Sequence, residues 1–374
     1  MNRRPSQSRN DFDSFSPQRT ARFTAASPDA HFFEERRKKT LASRALLFFL
    51  ALLLSLFVVN CAVNSFVHVS RVEVPVKGLP EVFEGYTLLH ISDLKGASFG
   101  GEQGLFSLAL GKSEYDSVVI TGDMVSALGS AAPFYALIDQ LRARSPEIPI
   151  YFIPGDSDPT PASMDYATGG SPFAPWVLGA QQRGAQYLSA PLVLERDGHF
   201  LYLTTPQHLN LDLDTMQHQY EQQYVRALAS GDASELELAV HHLHALEQTR
   251  AARKAIREED CVIALSHAPL SSTELASAAN GSQLASIDLL LCGHYLGGMI
   301  RLPAIGPAFI PSQNLPRYGL FPGRDTHFGL SREGTTSIYV SPGLGSGGGD
   351  YPFFFFRLLN PPTVTLLTLT TSSL

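Results

Sequence analysis

Five places in this 374-residue chain put ionisable side chains at the end of a short apolar run: Ile91-Ser92-Asp93-Leu94-Lys95, Gly122-Asp123, Gly155-Asp156-Ser157-Asp158, Ser266-His267-Ala268-Pro269 and Gly293-His294. Carboxylates and imidazoles bind divalent ions, and ions so held bind phosphate oxygens and acidify a water. The array is therefore of the kind that metal-assisted hydrolysis of a phosphoester requires. Taken singly each site is bland, since Gly-Asp after a strand is ordinary turn chemistry and an isolated histidine is more often structural. Their order and their shared placement carry the argument.

The elements that must position these groups can be read from hydrophobic periodicity. From Thr87 onward, apolar runs (TLLHISD, SVVITGD, IPIYFIPGD) alternate with amphipathic segments over 101–112 and 132–144. Apolar runs ending in Asp and separated by helix-like stretches indicate repeated β-α units around a buried sheet. The carboxylates then fall at the C-terminal ends of strands, where such sheets bind ligands. Residues 192–205 read as two strands turning at Asp197-Gly198. From about 209 to 259 the chain becomes rich in Gln, Glu, Ala and Leu, with Leu236, Val240, Leu243 and Leu246 at helical spacing, which predicts a helical excursion. Strand-like runs resume with CVIALSHAP, SIDLLLCGHY and TSIYVSPGLG and close with TVTLLTL, suggesting two packed sheets flanked by helices.

In this order the motifs resemble the calcineurin-like metallophosphoesterase family, in its membrane-associated bacterial branch. The family reads Asp-x-His, Gly-Asp, Gly-Asn-His-Asp or Glu, a lone His, then Gly-His-x-His. Here Asp93, Asp123, Gly155, Asp158, His267, Gly293, His294, Gly297 and Gly298 match in sequence, and the resemblance covers about 72–370. It implies a four-layer α/β/β/α sandwich. It also implies two metal positions, of which this chain departs from one. Lys95 and Leu296 stand where that position takes histidines; Leu296 cannot ligate and an ammonium repels a cation. At the other position the matching residues are Asp123, Asp156, His267 and His294, with Asp156 replacing a neutral amide. Two carboxylates and two imidazoles suit one divalent ion, Zn, Mn or Fe. Lys95 would place a positive charge between Asp93 and Asp123 where an ion stood, and Ser157 replaces the histidine that assists the leaving group or the substrate phosphate. A serine hydroxyl is no general acid near neutral pH, at a cost of ~100-fold or more in rate.

Charge and hydropathy frame this body. Ten Lys and Arg against five Asp and Glu precede residue 45, whereas 18 basic and 30 acidic residues follow, so the body is acidic and no nucleic-acid partner is expected. Residues Ala45 to Val63 form 19 residues without a charge, and the uncharged stretch continues to Val69. That length crosses a ~30 Å hydrocarbon core. Arg36, Arg37, Lys38, Lys39 and Arg44 stand just before it, and positive flanks stay in the cytoplasm. The expectation is a single-pass protein of the cell membrane, N-terminus cytoplasmic and main domain extracytoplasmic. A cleaved signal peptide fits poorly, because the leader is too long and a small-residue cleavage pattern is absent. Asn60 before Cys61 argues against a lipoprotein, and three cysteines make no disulfide framework.

The expected organisation is a disordered basic cytoplasmic tail over 1–44, a transmembrane anchor over 45–69, and a phosphoesterase domain over 70–374 with its excursion at 209–259. The leading function is metal-dependent hydrolysis of a phosphomonoester or phosphodiester, with lipid or cell-envelope phosphates as substrates suggested by location. Asp123, Asp156, His267 and His294 would be the metal ligands, and Asp93, Lys95 and Ser157 the other site residues. The alternative is a catalytically inactive binding or scaffold protein of the envelope on the same fold. His241, His242 and His244 lie too close in sequence to stack on one helix face and read as solvated. Residues 343–350 (GLGSGGGD) lack the Lys-Ser/Thr of a P-loop and read as a flexible turn near the site. Phe353 to Phe356 leave open core burial or a lipid-facing edge. The oligomeric state is not legible.

Overall fold

The computed structural model describes residues 28–125, 129–162, 172–276, 282–302, 306–310, 319–322, 328–346 and 357–371, with side chains from residue 40. The tail over 1–27 and the aromatic run Phe353–Phe356 lie outside the described residues. Two compact units divide the chain at Phe57/Val58.

The described residues of the first unit belong to helix α1 (Pro28–Asn64), whose last turns fall in the second unit. Its Thr40–Asn64 stretch has a mean hydropathy of 2.7 and is long and apolar enough to cross a membrane. The helix starts well inside the segment expected to be irregular, because Glu, Arg and Lys at 34–39 are good helix formers that continue the turn set by the apolar run. It ends at Asn64, and the residues after it turn into the first strand rather than extending the anchor to 69.

The second unit contains two six-stranded sheets. One is built from β1 (His68–Val76), β2 (Thr87–Ile91), β3 (Ser117–Thr121), β4 (Ile150–Ile153), β5 (Ala185–Tyr187) and the last strand of the chain, Thr363–Thr371. Its order is β1, the last strand, β2, β3, β4, β5, with β2 to β5 all parallel. The other contains β6 (Leu192–Arg196), β7 (His199–Thr204), β8 (Cys261–Ser266) and β9 (Leu289–Cys292), with β7, β8 and β9 parallel. A small sheet of β10 (Ile300–Leu302), β11 (Gly306–Ile310) and β12 (Gly319–Leu320) follows, and β13 (Gly329–Glu333) and β14 (Thr336–Val340) complete the second large sheet beyond β9. The last strand is β15. The β6–β7 hairpin turns at Asp197-Gly198, both with positive φ, as a two-residue turn requires.

Strands β3, β4, β8 and β9 are buried along their whole length, which explains their near-continuous apolar sequence. Between the sheets lies one apolar layer, including Leu88, Val119 and Leu367 from one side and Leu203, Ile263, Leu291 and Tyr339 from the other. The outer face of the first sheet packs on helices α2 (Gly104–Leu110), α3 (Ala132–Arg144) and α4 (Pro175–Gln182). Phe134, Leu137, Ile138 and Leu141 form the buried stripe of α3, at the spacing a helix needs to face a sheet. Trp176 of α4 is core, packed against Phe134 and Phe152. The second sheet's outer face is covered by α5 (Pro206–Asn210) and by segments around Leu275 and Leu284. The result is the α/β/β/α sandwich.

The excursion forms a hairpin of α6 (Leu213–Ser230) and α7 (Ala233–Ala255). Asp212 caps α6 through Thr215 N–H, Gly231 ends it in the left-handed conformation, and Asp232 caps α7 through Ser234 and Glu235. A short helix, α8 (Ser272–Leu275), opens with a Ser271/Glu274 capping box.

Candidate metal centre

The C-terminal ends of β2, β3 and β4 meet those of β8 and β9 at one edge of the sandwich. Asp93 N–H donates to Gly122 O, Lys95 N–H to Asp123 O, and Gly293 N–H to His267 O, so neighbouring strand ends run on side by side. The two sheets are joined across this edge by His294 N–H, which donates to Asp93 Oδ2 at 3.1 Å, and by His267 Nδ1, 2.8 Å from Thr121 O.

Holding the groups this way strains the backbone. Asp93 (φ 53°), Lys95 (49°), Asp123 (57°), His294 (75°) and Leu296 (55°) all lie in the left-handed region. Each such residue costs on the order of 1–2 kcal/mol. The glycines of the motifs have a steric task as well: a Cβ at Gly293 would sit 2.6 Å from Asp93 Oδ2, and one at Gly155 would run into the Asp123 carboxylate. Gly-Asp here is more than turn chemistry.

Among the described residues, ligand atoms gather in two groups that share His267. Asp156, His267 and His294 lie within 4.8 Å of one another, as do Asp93, Asp123 and His267. His294 Nδ1 is 3.2 Å from Asp156 Oδ2, and the rings of His267 and His294 stand edge to face at 5.1 Å. The Asp156 side chain is 70% exposed, whereas those of Asp123 and His267 are 3% and 5% exposed, so the cluster opens to solvent on the Asp156 side.

His267 tests whether a cation fits. Thr121 O can only accept, so Nδ1 carries the hydrogen and Nε2 is left facing Asp123 Oδ2, 3.2 Å away. Nε2 is buried and makes no hydrogen bond. Two acceptors so placed require a proton or a cation between them, and the carbonyl behind Nδ1 is the support that a ligating histidine typically has. With no ion, burial lowers the His267 pKa but the charges of Asp123 and Asp93 outweigh it and raise it to about 9. Burial raises that of Asp123, yet His267 and Lys95 hold it well below the carboxylate range. Asp156 is lowered by its hydrogen bond with His294. Asp93 Oδ1 is also buried without a hydrogen-bond partner. The donor set fits a divalent ion, which would take the place of the proton between His267 Nε2 and Asp123.

The side away from Asp156 is filled by the chain itself. Lys95 Nζ donates to Asp123 Oδ2 at 2.5 Å, with the Lys95 side chain 12% exposed. Burial lowers its pKa, but Asp123 and Asp93 more than offset this and keep the ammonium charged. Leu296 is buried, and Gly343 lies so close that a Cβ there would be 3.2 Å from Leu296 Cδ2 and 2.9 Å from Asp93 Cβ. Ser157 contributes its backbone, donating N–H to Asp123 Oδ1 at 2.8 Å, while its hydroxyl is buried and makes no hydrogen bond.

Two further residues support the strand ends, Asp158 from the third motif and Arg357 from outside the motifs. Asp158 accepts from Val125 and Gly155 N–H, clamping the ends of β3 and β4 together; burial raises it to about 6. Arg357 is 2% exposed, and its guanidinium donates to the carbonyls of Leu296, Pro342, Gly343, Gly345 and Asn360. It locks the turn at 343–345, whose Gly345 N–H donates to Asp93 O, behind the site. Nothing near Arg357 in sequence forecasts its four distant carbonyl partners, on Leu296, Pro342, Gly343 and Gly345.

A model of the calcineurin-like phosphoesterase family matches residues 86–297. Phosphodiesterase YaeI of Escherichia coli (strain K12) is 37% identical over 82 residues, covering 22% of this chain and 25% of that protein, so the chain matches about a quarter of that relative's length. Among solved structures, Phosphopantetheinyl Hydrolase (PptH) from Mycobacterium tuberculosis aligns with 15% identity and a TM-score of 0.32, over 70% of this chain and 91% of that one. TT1561 of Thermus thermophilus aligns with 12% identity and a TM-score of 0.33, over 69% and 90%. At such scores the two structural likenesses add nothing to the match with the family.

Proposed function

Because the chain belongs to the calcineurin-like phosphoesterase family, we propose that it hydrolyses a phosphoester at a site taking one divalent cation, with Lys95 as a built-in second charge. Asp123, Asp156, His267 and His294 would hold the ion. A divalent cation so bound supplies charge to a phosphoryl oxygen and lowers the pKa of a water. The observation that supports the reading is the gathering of Asp156, His267 and His294 ligand atoms within 4.8 Å of one another, with His267 Nε2 buried 3.2 Å from Asp123 Oδ2.

The chain's own residues divide the remaining work. The Thr121 carbonyl fixes the His267 tautomer, and Lys95 neutralises Asp123 and Asp93 so that a phosphate dianion meets a less negative wall. Ser157 provides an amide to Asp123 and no general acid, so good leaving groups are favoured. The apolar helix anchors the domain to a membrane with the body extracytoplasmic, which makes lipid or envelope phosphates accessible substrates.

The test is metal analysis of the full chain in nanodiscs, followed by hydrolysis of bis(p-nitrophenyl) phosphate with and without Asp123→Ala. About one ion per chain and turnover abolished by the substitution are expected. Absence of both ion and turnover would sink the proposal and leave an inactive binding protein on the same fold.

A further inference from the structure

The helical hairpin leaves a cavity of about 240 Å³ between itself and the sandwich. Its walls are rings: Phe173, Tyr187, Tyr220, His208, His241 and His242. His241 stands edge to face on Phe173 at 4.7 Å, His242 stacks on Tyr220 at 4.6 Å and 28°, and Phe173 meets Tyr187 at 5.7 Å and 85°. The expectation of a solvated histidine face therefore fails for His241 and His242, whose helix turns them toward these rings; His244 is exposed.

The cavity's place in the fold is informative. Asp156 follows β4 and His267 follows β8; Tyr187 ends β5 and His208 follows β7. β5 is the parallel neighbour of β4, and β7 of β8. On each sheet the cavity is thus one strand out from the metal centre, ~5 Å per strand, at the same C-terminal edge. Phe173 comes from the segment after Asp156, and α6 and α7 close the remaining side.

We infer that this cavity receives a planar, uncharged heteroaromatic ring, such as a nucleobase, on the alcohol portion of the phosphoester. The inference deepens the phosphoesterase reading and rests on it for the link to the metal centre. Three features favour such a ring. No Asp, Glu, Lys or Arg lines the cavity, so a charged group would find no partner. Burial lowers the pKa of His208 to about 4 and lowers those of His241 and His242, leaving neutral imidazoles whose rings line the cavity, with His242 Nδ1 turned to Gln223 Oε1 at 3.4 Å and His208 Nδ1 3.5 Å from Thr204 Oγ1. Gln207 and Ser189 add polar atoms to ring faces, the combination by which edges and faces of a heterocycle are read. The volume is below the ~300–1,000 Å³ of pockets for larger ligands, which suits one ring system. A cation is the wrong occupant: among the described residues, ligand atoms converge only in the two groups at the metal centre.

AMP and ribose 5-phosphate share sugar and phosphate and differ in the ring. Titration calorimetry on the full chain in nanodiscs with divalent ion should show AMP binding about tenfold or more tightly, the scale of one stacked base. Tyr220→Ala should erase the difference and Tyr220→Phe should keep it. Phe173→Ala, from the opposite wall, is the second probe should Tyr220→Ala disturb the hairpin. Equal affinities for the two ligands overturn the cavity's role while leaving the phosphate site intact. Adenosine bound as tightly as AMP, with ribose 5-phosphate unbound, upholds the cavity and counts against the phosphoesterase reading. Failure of all three to bind overturns the inference, and hydrolysis of bis(p-nitrophenyl) phosphate then decides the other reading by itself.

Discussion

Asp93 and Asp156 both follow parallel strands of one sheet, yet their surroundings differ. Around Asp93 the chain supplies what an ion would: the Lys95 ammonium lies on the shared carboxylate of Asp123, and Leu296 packs against Gly343 where a ligand would reach in. Around Asp156 the space is left open to solvent, with two imidazoles facing carboxylates. On the proposed reading, charge is balanced permanently on one side and would be balanced exchangeably on the other. A fixed ammonium cannot activate water, so the proposed hydrolysis would take place on the Asp156 side.

His267 belongs to both sides, and removing it should break the comparison most severely. His267→Ala deletes the ligand common to both groups, and turnover of an activated diester should fall about a thousandfold or more together with ion content. Retained ion with lost turnover would mean that the ring acts on substrate instead. Lys95→Ala comes next. It leaves Asp123 and Asp93 buried beside each other without their ammonium, a loss of about 3–5 kcal/mol in metal-free protein by analogy with broken buried pairs. Denaturant titration in EDTA should show that loss, and divalent ion should restore much of it. An unchanged midpoint would remove Lys95 from its role as the internal charge.

The same two sides differ in how legible they were. The strand-end carboxylates and the paired Asp197-Gly198 turn announce themselves through local periodicity and turn chemistry, and α3 follows its apolar stripe. That Lys95 reaches Asp123 was readable as charge balance, since two carboxylates on neighbouring strand ends need a cation. Asp158 was readable as part of the third motif but its clamp on Val125 was not, and Arg357 was not readable at all, because Val125 N–H and most of the Arg357 carbonyls are backbone groups brought near only by the fold. His241 and His242 misled for a related reason: helix spacing alone leaves out the Phe173 ring that comes from another segment and gives that face something to pack on.

A gain-of-ligand variant sharpens the contrast from the other direction. Lys95→His with Leu296→His supplies imidazoles at the two positions where the sequence resemblance implies histidine ligands of a second ion, on backbones whose positive φ histidine tolerates better than leucine. Ion content should rise from about one to about two per chain. If it stays at one, the blockage lies in the packing of Gly343 and Arg357 rather than in the missing ligands.

The smallest effect comes from a carboxylate at the opposite ends of the strands, which separates burial from charge pairing. Asp288 precedes β9 and accepts the Val262 N–H at 2.9 Å, without an ion-pair partner among the described residues. Burial raises its pKa to about 6, against the lowering by that N–H and by Lys77. The unfolded chain releases this proton near pH 4 and the folded one near 6, so the folded state binds the extra proton in between. Its contribution is then fullest below pH 4 and declines as pH rises through 6, by about 1–3 kcal/mol. Asp288→Asn keeps a carbonyl for Val262 and has nothing to titrate. The stability of this variant relative to the parent should climb between pH 4 and 6 and level off above 7, measured by denaturant midpoints at each pH. A flat difference would mean that Val262 and Lys77 compensate the burial in full, and the open Asp156 side would then no longer be distinguished from other strand-end carboxylates by its need for an exchangeable charge.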